Sequence, residues 1–440
     1  MSASTANKTE RVVITGVGVA SPFGLGVGPL FDGMVAGETR VEALGSPRGA
    51  LAPGYGAVVS LSARDIRGLP NSRDMRPGTM TRYTFLSTLA LGDAMQDGDC
   101  PFDDGDGALR RGLYVASYTN SDRFDKYVRF AHHVIDEDAT GNSFINDSQV
   151  PEAIRKFSGF EFLKLMNNMP AAHGGIQGRC QGPCNTYLGT PSGGAQAIGR
   201  ALSTIQDGLA DTMYAGGVGS SVHDQMMMVR ATRGLASSSD ATPEAAGRPF
   251  DTAASGIVPG EGGAMLVLER ESTARARGAR VRAELAGYGE WFLPPSDRDG
   301  VSPSPMGTVQ SVRRALAMAG VEAADIDMVA AHGESRSDLD ALEASALAEV
   351  LGPRAAEVPV VALAAHVGSV EAAVGPMGAA VALQAMETGV VPGALNRENP
   401  LPDYKGPTSA APVETAVRTA LVTLTTREGV SAALVLRTLD

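Results

Sequence analysis

The stretch at residues 182–199, GPCNTYLGTPSGGAQAIG, combines a short extended run, a tight turn and a helix rich in small residues. The run GPCNTYL predicts a strand, and the helix should begin near Pro191 or Ser192. A side chain at such a strand-to-helix turn points out of the sheet at a helix N-terminus, where the positive end of the helix dipole favours a thiolate or an oxyanion. The tip of the turn is Thr190-Pro191-Ser192. The position therefore suits a nucleophile, but proline has no group with which to attack.

Length and composition favour a soluble α/β protein. The chain has 440 residues, of which 43% are hydrophobic, 20% are charged and 53 are glycine. It exceeds the size at which one core usually stops growing, so we expect two domains or two halves of a duplicated fold. No run of about 18 apolar residues occurs, and the start, MSASTANKTERVVITG, lacks the apolar core of a signal peptide. These features predict a cytoplasmic protein.

Charge and cysteine usage exclude several classes of partner. The net charge of −12 argues against a nucleic-acid or anionic-membrane surface. One basic cluster, RARGARVR at residues 275–282, runs against this trend and is interpreted as the end of a helix followed by the start of a strand. The three cysteines, Cys100, Cys180 and Cys184, have no metal or redox spacing. We therefore expect reduced thiols, no metal and no cofactor.

Strands and helices alternate along the chain in two similar runs. In the first run, strands are predicted near residues 11–19, 112–117 and 212–218, and helices near 29–36, 84–95, 162–173 and 192–207. This order is typical of a mainly parallel sheet. In the second run, strands are predicted near residues 263–268, 281–289, 327–331, 358–363, 419–424 and 431–437, and helices near 309–319, 339–350 and 379–387. The sequence thus predicts a duplicated α/β layered fold with halves at residues 10–240 and 245–440.

Six motifs, in order, carry a resemblance to a known family. They are RVVITGVGVASPFG at 11–24, GPCNTYLGTPSGGAQAIG at 182–199, YAGGVGSSV at 214–222, RPFDTAASGIVPGEGGAMLVLE at 248–269, AHGESRSDLDALEASAL at 331–347 and VVPGALNRENP at 390–400. On these motifs the chain resembles the β-ketoacyl synthases of fatty-acid and polyketide assembly, a branch of the thiolase-like superfamily. The resemblance implies two similar α/β halves that form a five-layered αβαβα core.

Active members of that family resemble one another in a Cys-His-His set, in which the cysteine attacks an acyl thioester and the histidines assist decarboxylation and stabilise an oxyanion. Aligned on its motifs, this chain has Pro191 at the cysteine, His332 at the first histidine and Ser369 at the second. Ala364 stands at the usual lysine, and residues 425–429, TTREG, replace a phenylalanine-containing gate. The run of glycine and threonine that usually follows the first histidine is GESR at residues 333–336. The resemblance therefore implies that no catalytic set is retained.

Subunits without the cysteine are familiar in type II polyketide synthases, where such a chain length factor pairs with an active ketosynthase. The resemblance implies a heterodimer with that ketosynthase, a role in shaping the acyl-chain tunnel, and contact with an acyl carrier protein, either directly or through the partner. The alternative is a divergent acyltransferase, decarboxylase or thioesterase that uses Ser192 or a cysteine together with His332. A third interpretation is a structural scaffold with no pocket. A local shift of register that brings in His366 would be needed to restore the second histidine.

Overall fold

Ten main strands form one sheet path in the computed structural model, which describes residues 10–44, 54–100, 105–118, 124–138, 140–156, 163–189, 191–237, 242–295 and 304–439. The strands are β1 Val12–Ser21, β2 Arg111–Ser117, β3 Cys184–Leu188, β4 Thr212–Ser220, β5 Glu261–Arg270, β6 Ala283–Phe292, β7 Met328–Ala331, β8 Val360–Ala362, β9 Thr419–Thr425 and β10 Val430–Arg437. Short strands are Gly24–Leu25, which pairs with β1, and the ribbons Val41–Ala43 with Tyr55–Ala57, Ile135–Glu137 with Ser143–Ile145, and Val390–Val391 with Val413–Glu414.

Nine helices of at least two turns cover the strands or lie between them in the described part of the chain. They are α1 Val27–Val35, α2 Arg82–Asp97, α3 Phe124–Val134, α4 Met169–Gln177, α5 Gly193–Gln206, α6 Asp224–Thr232, α7 Met306–Ala319, α8 Ser337–Leu351 and α9 Val374–Thr388. Shorter helices are Ala63–Ile66, Asp106–Leu109, Val150–Lys156, Pro243–Ala246, Glu271–Ala276 and Ala364–Val367.

The two halves of the sheet path repeat one strand order. The first half runs β3-β2-β4-β5-β1 and the second β8-β7-β9-β10-β6. In each half the first two pairings are parallel and the next two antiparallel. The halves join through Val13 opposite Glu284 and Ile14 opposite Ala283, which pair β1 with β6. This repetition confirms the expected duplicated α/β fold.

The sheet is mixed rather than mainly parallel, so that expectation was wrong. The turn between β9 and β10 has only four residues, 426–429, and a connection that short can only join antiparallel strands. The predicted border at residues 240–245 also precedes β5, which pairs with β1 and β4 of the first half. In the sheet, the first half therefore ends after β5.

Five layers result from where the helices pack. Helices α5 and α9 lie in the middle and contact strands of both half-sheets. Helices α2 and α4 cover the outside of the first half, and α7 and α8 cover the outside of the second. The predicted αβαβα arrangement is confirmed. Within the residues that the structure describes, no helix is both long and apolar enough to cross a membrane.

Helix α4 begins later than the sequence pattern indicated. The prediction placed a helix at residues 162–173, of which 162 lies outside the described residues. Residues 163–165 are helical, but a break follows at 166–168, and α4 spans Met169–Gln177 with Asn168 at its N-cap and Pro170 in its first turn. Proline is favoured there because its missing N–H would have no partner within the helix. The proline therefore marks a helix start where the apolar pattern indicated a helix interior.

Two glycines allow the middle layer to close around one carbonyl group. A Cβ atom at Gly194 in α5, or at Gly217 in β4, would lie 2.1 Å from the carbonyl oxygen of Ala372. That residue belongs to the turn before α9. Only glycine fits at these two positions, since any side chain would push α5 and β4 away from that turn.

We expect Gly194→Ala to lower the free energy of unfolding by at least about 3 kcal/mol, because the added methyl group meets a backbone atom that no side-chain rotation can move. Chemical denaturation followed by circular dichroism measures the change. The matched control is Gly28→Ala in α1, where nothing lies within 4 Å of the added Cβ. It should be neutral or stabilising by up to about 1 kcal/mol. Equal effects of the two substitutions would contradict this account of the middle layer.

Candidate functional site at the start of helix α5

The turn between β3 and α5 borders a small cavity. Pro191 lines it, and the helix begins at Gly193 with Ser192 as N-cap. Thr190 lies outside the described residues. Ser192 is fully buried and its side chain makes no capping hydrogen bond, while its carbonyl accepts one from the Gln196 N–H at 3.0 Å. The helix start agrees with the predicted position.

The cavity wall is strongly charged. Its volume is about 80 Å³, which is room for a few water molecules rather than for a long acyl chain. Charged side chains on the wall are Arg230, Arg233, Glu334, Arg336, Glu371, Arg427 and Glu428, beside the apolar Pro191, Met226, Val229, Leu235 and Ile257 and the phenol of Tyr118.

Glu371 is the most deeply buried acid on this wall. It is 3% exposed and adopts a left-handed backbone conformation with φ of 50°. Its Oε2 accepts a hydrogen bond from the Ser220 N–H at 3.2 Å and lies 3.1 Å from the Tyr83 hydroxyl. Its Oε1 lies 3.6 Å from an Arg230 guanidinium nitrogen. Burial raises the pKa of Glu371, and the arginine opposes this shift.

His332 contacts the end of β9, just before the turn at residues 426–429. It is buried, and its Nδ1–H donates a hydrogen bond of 2.6 Å to the carbonyl oxygen of Thr425 at the end of β9. The following residues form the turn to β10, in which the Gly429 N–H donates to the Thr426 carbonyl at 3.1 Å. Arg427 and Glu428 of this turn reach the cavity wall. The imidazole thus has a structural partner on its Nδ1 side.

Two acids in helix α8 hold the backbone after His332. Glu343 accepts hydrogen bonds from the N–H groups of His332 at 3.0 Å and Gly333 at 2.9 Å. Asp340 accepts from the N–H groups of Glu334, Ser335 and Phe250 at 2.9, 3.1 and 2.9 Å. Burial raises the pKa of Asp340 to about 7, although the N–H of Phe250 opposes this shift. These acids fix the main chain, whatever side chains it carries.

Ser369 and Glu334, which belong to two separate segments of the chain, contact each other. The Ser369 hydroxyl donates a hydrogen bond of 2.7 Å to Glu334 Oε1. Both side chains are buried, with 6% and 7% exposure. Since an unpaired buried carboxylate oxygen is costly, each residue supplies what the other needs. The two changes therefore form one locally satisfied unit.

Ala364 and His366 lie on the short helix Ala364–Val367, and neither restores a catalytic group. Ala364 is a buried methyl group whose carbonyl accepts the Gly368 N–H at 3.2 Å. His366 is buried, and its Nδ1 lies 2.7 Å from the carbonyl oxygen of Glu38. Burial lowers the pKa of His366 to about 4, so the ring is neutral at neutral pH. His366 does not line the described cavity.

The cysteines lie away from Pro191. Cys184 begins β3 and Cys180 precedes it, whereas Pro191 follows the other end of that strand. Five residues of strand separate these ends by roughly 13 Å. Cys100 is buried behind α2. In the described ranges, no group of three or more His, Cys, Asp or Glu side chains is arranged to hold a metal ion.

Comparisons with known proteins agree with the fold. The family model for the β-ketoacyl synthase N-terminal domain matches residues 9–274, and that for its C-terminal domain matches 283–398. Granaticin polyketide putative beta-ketoacyl synthase 2 of Streptomyces violaceoruber is 32% identical over 442 residues, covering 97% of this chain and 96% of the relative.

Two solved structures have the same architecture. The ishigamide ketosynthase/chain length factor superposes with a TM-score of 0.82 at 24% identity, covering 98% of this chain and 100% of that one. A type II PKS acyl-carrier protein in complex with its ketosynthase bound to the hexaketide gives 0.83 at 23% identity, with the same coverage. At these identities the structures establish the fold alone.

The duplicated five-layered fold, with its cavity at the start of a middle-layer helix, places the chain in the same structural class as these two proteins. Within that class, both family models match, and the chain belongs to the β-ketoacyl synthase family.

Sequence reasoning missed the Glu371–Arg230 pair and the contact between Ser369 and Glu334. A signal for the first was present, because Glu371 stands alone in the apolar run VEAAV at residues 370–374. A lone charge in such a run indicates a buried partner. No sequence pattern identifies Arg230 as that partner.

We expect Ser369→Ala to lower the free energy of unfolding by about 1–3 kcal/mol, because Glu334 Oε1 stays buried without its donor. Urea denaturation measures the loss. In a Glu334→Ala background the same substitution should cost much less, and the double-mutant cycle should give a coupling energy of about 1–2 kcal/mol. Strictly additive effects would show that the two residues do not act as a unit.

Proposed function

We propose that this chain is a non-condensing β-ketoacyl synthase homologue that acts as the chain length factor subunit of a type II polyketide synthase. It forms a heterodimer with an active ketosynthase and helps to shape the tunnel that holds the growing acyl chain. Two features together carry the proposal. Pro191 stands at the start of α5, and a Ser369–Glu334 hydrogen bond occupies the position expected for the second histidine. Pro191 offers no nucleophile, and Ser369 and Glu334 offer no imidazole at the position of the second histidine.

The alternative enzyme finds no support in the placement of its candidate nucleophiles. Ser192 is fully buried and does not line the described cavity. Cys180 and Cys184 lie at the far end of β3 from the cavity. His332 donates its Nδ1–H to a backbone carbonyl, and none of these three residues contacts it in the described hydrogen bonds. A catalytic pair needs nucleophile and base within about 3 Å of each other.

The relatives favour a polyketide setting. The granaticin relative is described as beta-ketoacyl synthase 2 of a polyketide system and matches nearly end to end. The ishigamide structure is described as a ketosynthase/chain length factor. A subunit role also accounts for the cavity, since about 80 Å³ is too small for a polyketide and any tunnel must be completed by another chain.

Strand β3 offers an edge for such a partner. It ends the strand path, and within the described residues no strand pairs with its outer side. The Leu113 N–H donates to the Pro183 carbonyl at 2.9 Å, and the Gly189 N–H to the Ser117 carbonyl at 3.4 Å. In a parallel pair the residues that face the neighbour alternate. Cys184, Thr186 and Leu188 therefore direct their backbone groups outward, and the Leu188 side chain is 58% exposed.

In this proposal, the partner subunit supplies most of the positive surface that binds an acidic acyl carrier protein. Each arginine of the basic cluster at residues 275–282 already pairs with a carboxylate of this chain. Arg275 pairs with Glu271 at 2.7 Å, Arg277 with Glu269 at 2.6 Å, Arg280 with Glu387 at 3.1 Å, and Arg282 with Asp97 at 2.7 Å. With a net charge of −12 over the whole chain, little positive surface is left for an acidic partner.

Reconstitution tests the proposal. Malonyl and acyl thioesters of an acyl carrier protein are supplied to the chain alone, to an active type II polyketide ketosynthase alone, and to both together. We expect polyketide product from the pair and none from this chain. The rate of product formation by the Pro191→Cys chain alone should also stay at least about 10³-fold below that of the pair, because Ser369 and Glu334 still occupy the position of the second histidine. Liquid chromatography with mass detection measures product.

Pro191→Ala is the matched control for Pro191→Cys, since it alters the turn without adding a thiol. The two variants should give the same product pattern when paired with the ketosynthase. Condensation by the lone wild-type chain, or a stable acyl adduct on Ser192, Cys180 or Cys184 of that chain, would contradict the proposal and favour the alternative enzyme.

The edge of β3 yields a separate prediction. Thr186→Pro removes an outward N–H, which in the lone chain donates to the Asn185 Oδ1 at 2.9 Å, while the residues that bond to β2 keep theirs, so the fold should survive. The proline ring and the lost donor together should raise the dissociation constant for the ketosynthase by about 100-fold. This change corresponds to a loss of roughly 3 kcal/mol of binding free energy. Sedimentation or mass photometry measures the dissociation constant.

Thr186→Ala is the matched control and should associate like the wild type, because it keeps the backbone donor. Circular dichroism and the melting temperature verify that both variants are folded. A folded Thr186→Pro chain that associates as tightly as Thr186→Ala would place the interface elsewhere.

A further inference from the structure

Arg230 lines the cavity at the start of α5, and it has a guanidinium nitrogen to which no group of the described chain is hydrogen-bonded. Its side chain is only 10% exposed, and Nη1 itself is buried. A buried N–H group without an acceptor is costly, and a charged one more so. The arginine therefore indicates a ligand atom that accepts a hydrogen bond at this position.

Glu371 provides an acceptor beside this donor. Its Oε2 accepts from the Ser220 N–H and lies against the Tyr83 hydroxyl, whereas its Oε1 is buried and has no hydrogen-bond partner among the described residues. Oε1 lies 3.6 Å from Arg230 Nη2, a distance too long for a hydrogen bond. The Glu371 backbone is also left-handed, and strained residues of this kind concentrate at ligand sites. One donor and one acceptor thus lie side by side, each able to take a further partner.

The formal charges around the cavity cancel, so they favour a neutral ligand. The wall carries four arginines, Arg230, Arg233, Arg336 and Arg427, and three glutamates, Glu334, Glu371 and Glu428. Asp338 pairs with Arg336 and supplies the fourth negative charge. An added ion of either sign would lack a counter-charge in a poorly solvated site, and the cost of its desolvation would oppose binding.

A primary carboxamide group matches the two unpaired atoms. Its oxygen can accept from Arg230 Nη1, while the N–H on the same side of the group donates to Glu371 Oε1. A carboxylate would place a second negative oxygen against Glu371, and a ketone would leave Oε1 without a donor. The cavity volume of about 80 Å³ limits the ligand to a few heavy atoms. The apolar side chains of the wall can cover a short alkyl tail.

The cavity opens away from the sheet edge that the proposed partner covers. Among the residues on its wall, Arg233 just after α6 and Glu428 in the turn between β9 and β10 are exposed. Strand β3 contributes none of the lining residues. A small ligand can therefore reach Arg230 and Glu371 whether or not another chain pairs with β3.

We propose that Arg230 and Glu371 form a binding site for a small primary carboxamide. The guanidinium donates to the amide oxygen, and the carboxylate accepts from the amide N–H. The site uses only groups of this chain and does not depend on the proposed polyketide role. Binding is noncovalent and weak for a ligand of this size, with a dissociation constant of about 1–10 mM.

Ligand-detected NMR tests the proposal on the full-length chain. Propionamide, propionate and N,N-dimethylpropionamide share an acyl chain but differ in their donors and in charge. Each is titrated at constant ionic strength near neutral pH, and the saturation transferred from protein to ligand gives its dissociation constant. We expect propionamide to bind at least about 10-fold more tightly than the other two, because it alone supplies both an acceptor and a donor without a charge.

Glu371→Gln should invert the preference between propionamide and propionate. The side-chain oxygen of the variant can keep the contacts of Oε2 with Ser220 and Tyr83, and its NH₂ group then takes the place of Oε1. Two donors face the ligand in that case, so propionate should bind at least about 10-fold more tightly than propionamide. A merely structural role of Glu371 would not produce this inversion.

The matched control is Glu349→Gln, which removes the same charge from an exposed side chain on α8 that pairs with Arg313. It should keep the wild-type preference for propionamide. Arg230→Met removes the donor and should weaken propionamide binding by at least about 10-fold. Circular dichroism verifies that each variant is folded, and if Arg230→Met is not, the inversion in Glu371→Gln decides the matter.

Three results would overturn the proposal. The first is the absence of saturable propionamide binding to the wild-type chain. The second is wild-type binding of propionate or N,N-dimethylpropionamide as tight as that of propionamide. The third is a folded Glu371→Gln chain that still prefers propionamide, since the carboxylate would then not be the group that accepts from the amide.

Discussion

The carbonyl group of Ala372, packed against the α-carbons of Gly194 and Gly217, is the contact on which the rest of the structure depends. It closes the middle layer, because it joins α5 and β4 of the first half to the turn before α9 in the second. The same contact sets the site. Pro191 lies three residues before Gly194, and Ser369 and Glu371 lie within three residues of Ala372. Pro191 and Glu371, which both line the cavity, are therefore placed by backbone packing.

This arrangement separates the scaffold of the site from its chemistry. Asp340 and Glu343 hold the main chain after His332 through backbone N–H groups, so the loop keeps its path whichever side chains it carries. The side chains could change as long as each buried polar group found a partner. Ser369 with Glu334, and His332 with the Thr425 carbonyl, satisfy that condition.

The sequence was informative wherever the structure depends on local pattern or on a motif. The duplicated α/β fold, the helix start at Ser192 and the positions of Pro191, His332 and Ser369 followed from residues near one another in the chain. Contacts between distant residues were not accessible, because Ser369 and Glu334 are 35 positions apart and no local rule couples them.

Strand pairing was the other feature that local pattern could not supply. Helix and strand alternation indicated a parallel sheet, but β5 inserts antiparallel between β1 and β4 from beyond the expected border. Direction depends on which strands meet, and that is decided by packing of the whole half rather than by any segment.

The charges around the cavity would act on any negative charge that forms there. An oxyanion that forms beside the start of α5 would gain from the helix dipole. It would also lie in a cavity that Glu334 and Glu371 share, both of them buried carboxylate groups. In a poorly solvated site, like charges repel strongly over several ångströms. Because Arg230 lies 3.6 Å from Glu371, its charge is already partly engaged. The wall also carries four arginines against three glutamates, so the field at the start of α5 depends on how these charges pair with one another and not on any single side chain.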